Sequence, residues 1–218
     1  MKTKPGPGFV AFLATLAVMT ATALPMLAYQ YPLSSTDIRN AYLTGTRKDW
    51  VTDDFLSKYS HALPAPATGP HVAEISIDTP YSQIVRLGQT AQNPDSQQAV
   101  QDFAKQDLPF IVRVEVDETP TYPNPPVVNP TIGILPLPNF EKDFKIQLTQ
   151  QGKAIDAVST QVSLLYSDEA SNTPDIYGAV IELRYDNQEI DPFGDVKVKV
   201  RTVDGQNVKS TFSLAAMK

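Results

Sequence analysis

Val196, Val198 and Val200 alternate with Lys197, Lys199 and Arg201, and this period of two recurs along most of the chain. It is found at Ala73, Ile75 and Ile77, at Val112, Val114 and Val116, at Phe144, Ile146 and Leu148, and at Ala179, Ile181, Leu183 and Tyr185. Successive side chains of a strand point to opposite faces, so each segment describes a strand with one buried and one wet face. That pattern suits antiparallel sheets, because strands of a parallel sheet are covered on both faces and read as continuous apolar runs. Asp204-Gly205, between the 196–200 run and Val208, Phe212 and Leu214, is a hairpin signal, since Asp-Gly accepts positive φ. The spacing of strand and turn signals, with no βαβ rhythm, predicts a mainly β chain: an antiparallel Ig-like β-sandwich of about seven to eight strands. No repeat at a fixed period is present, which argues against a solenoid or propeller.

Helical signals gather near the N-terminal side. Ser34-Ser35-Thr36-Asp37 reads as an N-cap, followed by Ile38, Ala41 and Tyr42 at helical spacing until Gly45, where the helix is expected to stop. A second helix is predicted over about Asp49 to Ser60, with Trp50, Phe55 and Tyr59 as its apolar surface. Two such short helices cannot form a core alone, so they should dock on the body or on a partner. One internal helix is predicted with Pro94 in its first turn after Asn93, with Val100, Phe103 and Ala104 as its stripe and Leu108-Pro109 as its end. Tyr81 to Leu87 reads equally as helix or strand.

These segments divide the chain. Lys2 and Lys4, the apolar run Phe9 to Met19 and the small residues Ala21-Thr22-Ala23 predict a signal peptide at 1–23, with an uncleaved anchor at 9–28 as the alternative. A helical arm at 24–61 follows, then a Pro-rich linker at 62–70 and a β-sandwich body at 71–218. The body is interrupted by a Pro-rich loop at 119–142, which carries seven prolines between Pro120 and Pro138. A loop of that length within a compact domain is usually functional or disordered. Export leads to a periplasmic or extracellular protein, touching membrane only through its N-terminal segment if that stays uncleaved.

Composition narrows the chemistry. The chain has no cysteine, so disulfides, thiolate metal sites and a cysteine nucleophile are excluded. Its net charge of −6, without a cluster of Lys and Arg, argues against nucleic acid. Gly-x-Ser-x-Gly, His-Glu-x-x-His, Walker and Gly-x-Gly-x-x-Gly motifs are all missing. His61 and His71 flank the linker, ten positions apart on an extended connector, and are expected in exposed or capping roles. No cofactor is expected. The one ionic candidate is a calcium loop at Asp186, Glu189, Asp191 and Asp195, weighed against the same residues acting as turn formers beside Pro192 and Gly194.

Ala41-Tyr42-Leu43-Thr44-Gly45-Thr46-Arg47-Lys48, Gly69-Pro70-His71-Val72-Ala73-Glu74-Ile75 and Thr79-Pro80-Tyr81 resemble an uncharacterised family of exported bacterial proteins. The resemblance implies an envelope or secreted location and carries no function.

Three function classes follow. The first is an exported, non-catalytic binding or scaffold protein of the bacterial cell envelope that works through an envelope protein partner. Its expected contacts are Tyr42 and Trp50 on the helical arm and Tyr122, Ile134, Leu135 and Leu137 in the Pro-rich loop, where stiff extended backbone loses little entropy on binding. A carbohydrate-binding module would instead need aromatic rings exposed together on one face. A small secreted hydrolase would need titratable groups from distant segments to meet in one pocket.

Overall fold

The computed structural model describes residues 31–66, 71–91, 95–117, 140–166, 176–202 and 205–217. The leader, the end of the linker and residues 119–139 of the Pro-rich loop lie outside them.

The described residues form nine strands in two antiparallel sheets, with a layer of helices. The helices α1 (Ser35–Thr46) and α2 (Trp50–Ser57) come first, followed by the strands β1 (Ser60–Ala62) and β2 (His71–Asp78). The helices α3 (Pro80–Thr90) and α4 (Ser96–Phe103) separate β2 from β3 (Phe110–Asp117). A four-residue helix α5 (Phe140–Asp143) precedes β4 (Lys145–Gln150), β5 (Lys153–Ile155), β6 (Ser159–Tyr166), β7 (Ile176–Tyr185), β8 (Asp195–Arg201) and β9 (Asn207–Ser213). One sheet has the order β1-β2-β3-β7-β6 and the other β5-β4-β8-β9.

The alternation read from sequence is realised in space. In β8 every second residue is buried, Val196, Val198 and Val200 pointing inward while Lys197 and Lys199 face water. Ile75, Ile77, Val112, Val114 and Ile181 of the larger sheet share one apolar core with Leu148, Val196, Val198, Val200 and Phe212 of the smaller. A second core forms among the helices from Ile38, Ala41, Tyr42, Leu56, Tyr81, Ile84, Val85 and Ala99. Phe55 packs against both, its ring 5.2 Å from that of Tyr59 and 5.8 Å from that of Tyr81.

Several boundaries differ from the sequence reading. The helix α1 does not stop at Gly45 but runs through it to Thr46, because Gly45 serves packing. A Cβ there would lie 2.0 Å from the Val85 carbonyl oxygen, and one on Gly88 would lie 2.6 Å from that of Tyr42, so the glycines let the backbones of α1 and α3 touch. The ambiguous segment 81–87 belongs to a full helix, α3. Thr79 caps it by accepting from the Ser82 N–H, and Pro80 starts it with its φ already helical. Among the described residues there are therefore two internal helices of eight residues or more, α3 and α4, where the sequence reading predicts one.

The second N-terminal helix ends at Ser57, not Ser60, since Ser60–Ala62 pairs with β2 as a strand. Strand pairing thus occupies the first linker position, and the Leu63 N–H still donates to the Ala73 carbonyl. The helices α1 and α2 share their core with α3 and α4. No helix among the described residues is long and apolar enough to cross a membrane.

Candidate functional site

Among the expected contact residues, Tyr42 and Trp50 part company. Tyr42 sits on the α1 face marked by Ile38 and Ala41, only 7% exposed, its ring 6.4 Å from that of Phe103. It is a core residue of the helical layer, which corrects its assignment to a contact surface: its neighbours at helical spacing are apolar, and that face turns inward. Trp50 opens α2 and is 77% exposed. Asp49 caps that helix through the N–H groups of Val51 and Thr52 and also pairs with Arg47, so the turn carrying Trp50 is held on both sides. The Lys48 ammonium donates to the Ala91 carbonyl, and the Thr52 hydroxyl to that of Thr44, fixing the turn to the ends of α3 and α1. Tyr122, Ile134, Leu135 and Leu137 lie outside the described residues.

On the same helical layer, α1 and α4 border an open groove of about 620 Å³. Leu43 and Val100 supply its apolar lining, while Arg39, Asn40 and Gln101 supply charge and hydrogen-bonding groups. An apolar strip bordered by polar groups suits an extended peptide segment or a partner helix better than a compact solute.

The four residues weighed as a calcium loop take up separate turn and strand positions. Asp186 accepts from the Gln188 N–H and caps the 3₁₀ turn Asn187–Glu189. Asp191 accepts from the Phe193 N–H and from the Gln151 side-chain amide, while Asp195 begins β8 opposite Ser213. Among the described residues no three acidic or histidine side chains gather as metal ligands. Asp186 and Asp191 are spent on turn N–H groups, the ordinary work of Asp in tight turns, and Glu189 closes the 3₁₀ turn. His61 stacks on Phe212 at 4.4 Å, whereas His71 lies opposite Asp117 in the β2–β3 register.

Sequence reasoning missed a ladder of charges on the face of the larger sheet turned away from its core. The Asp78 side chain is only 1% exposed and accepts from Arg86 of α3, from Arg113 of β3 and from the Ser82 hydroxyl. Arg113 also pairs with Glu182 of β7, which in turn pairs with Arg184. The register explains it: Ser76, Arg113 and Glu182 lie side by side across three strands. One step along, Glu74 lies opposite Glu115. With Ser76, Arg86, Arg113 and Val180 they line a polar cleft of about 190 Å³. Burial raises the Glu115 carboxyl above its ordinary range, and the charges of Asp117 and Glu74 push the same way. Burial also raises Asp117, opposed by His71, and lowers the Arg86 guanidinium. Because Arg86 and Arg113 are both committed to Asp78, the cleft acts as a clamp joining α3 to the sheet. The polar residues of β2, β3 and β7 were visible in sequence, but only the strand pairing shows that they meet.

No protein-family profile matches the chain, and no curated protein does. Among solved structures, the IgNAR antibody domain C1 is similar at 9% identity and a TM-score of 0.31, over 70% of this chain and 99% of that one.

Proposed function

We propose that the chain is an exported, non-catalytic binding or scaffold protein of the bacterial cell envelope, an Ig-like sandwich whose added helical layer meets a protein partner. The observation that carries this reading is Trp50. A tryptophan left 77% in water on a turn secured by capping and an ion pair is a ready anchor, since Trp is enriched where few residues supply most of the binding energy. The α1–α4 groove supports it with a bordered apolar strip on the same layer.

Trp50→Ala should leave the melting temperature nearly unchanged, because an exposed side chain adds little to stability. It should also abolish recovery of the partner when the tagged protein is purified from envelope extracts. Partner recovery that survives Trp50→Ala but is lost on shortening residues 121–137 would move the contact to the Pro-rich loop. Protein that keeps Met1 and fractionates with the cytoplasm would end the envelope reading.

A further inference from the structure

We infer that β6 is a self-association edge through which two copies of this chain join their larger sheets. Of the four edges of the sheets that the described residues form, three are guarded. The strand β1 has three residues and is followed by Pro64 and Pro66, β5 has three residues including Lys153, and β9 carries the exposed Lys209. Short edges, prolines and edge lysines are the usual means of preventing strand addition. The strand β6 has none of them: Ser159–Tyr166 runs for eight residues without a proline or a charge. Among the described residues only β7 pairs with it.

The occupant that fits is a second β6. A neutral strand meets its own copy without like-charge repulsion, although the chain as a whole carries −6. A two-fold axis through Val162 pairs the strands antiparallel, setting Thr160 opposite Leu164 and Gln161 opposite Ser163. It also brings Val158, which is 74% exposed, toward Tyr166 of the other copy, which is 50% exposed. Side chains of like parity then share a face, so the core-facing and outer faces continue across the junction. This edge lies on another part of the molecule from Trp50, and the inference is independent of the partner proposed there.

The full chain should have twice its sequence mass by light scattering at micromolar concentration. Gln161 and Ser163 are exposed on the outer face, so Q161K/S163K should keep its fold by circular dichroism yet halve the mass, by placing two lysine pairs face to face. Q161K/S163E converts each repulsive pair into an attractive one and should restore the dimer. A wild type that stays monomeric overturns the inference, including the case in which residues 118–139 or another protein's strand cover β6. A dimer that persists in Q161K/S163K places the interface elsewhere, and a Q161K/S163E variant that stays monomeric refutes the register.

Discussion

Gly45 and Gly88 set how closely α1 can lie on α3. Gly45→Ala puts a methyl group into the Val85 carbonyl, so the helices must separate and loosen the Ile38, Tyr42 and Ile84 contacts. Urea denaturation should show a loss of about 1–3 kcal/mol or more, the range of overpacked cores. Gly152→Ala is the contrasting case: its added methyl meets nothing, and only its φ of 81° resists, so the cost should be about 1 kcal/mol. Glu115 makes a prediction about pH. Its carboxyl holds a proton more tightly in the folded chain than in the unfolded one. Its contribution therefore improves as pH falls through the raised folded value and levels off below the ordinary glutamate range. Glu115→Gln, which removes the charge that faces Glu74 and Asp117, should melt higher than wild type at neutral pH. The difference should shrink on acidification, as followed by melting temperature against pH.

At the level of elements, the alternation in β8 sets the next expectation. Val198 is fully buried between Leu148 and Ser210 in the register, and Lys199 points to water. Val198→Asp should cost about 3–5 kcal/mol through an uncompensated buried charge, and Lys199→Asp much less. Equal melting temperatures would refute this placement. The junction of β2 with α3 is tested by Arg113→Met. Asp78 then keeps Arg86 and Ser82, so the loss should be roughly 2–3 kcal/mol, below that of a wholly abandoned charge. Most strands were legible because burial of one face imprints a period of two on the residues themselves. Contacts distant in sequence left no such imprint. Gly45 reads as a helix stop until Gly88, on another helix, is seen against it, and Asp78, Arg113 and Glu182 read as ordinary polar-face residues until register aligns them. The candidate site was half legible. Trp50 and Tyr42 were both marked as aromatic, but only the buried Ile38 and Ala41 beside Tyr42 tell which of the two faces inward.

At the level of the whole molecule, the helical layer and the sheets are fastened to each other. Asp78 ends β2, Thr79 caps α3 and Pro80 begins it, so no flexible residue separates strand from helix. The two cores also share Phe55. Hydrogen exchange should find the α3 amides opening together with those of β2 and β3, as one cooperative unit. Independent early exchange of α3 would show that the clamp fails to couple them. The order β1-β2-β3-β7-β6 has a further consequence. The strand β1 follows α2 directly at one margin of the sheet, while β6 forms the opposite margin. Four inter-strand steps of roughly 4.8 Å separate the margins by about 19 Å. A pair of chains joined along β6 would carry two copies of Trp50, and a surface displaying partners in array would hold such a divalent object by avidity far beyond the strength of either single contact.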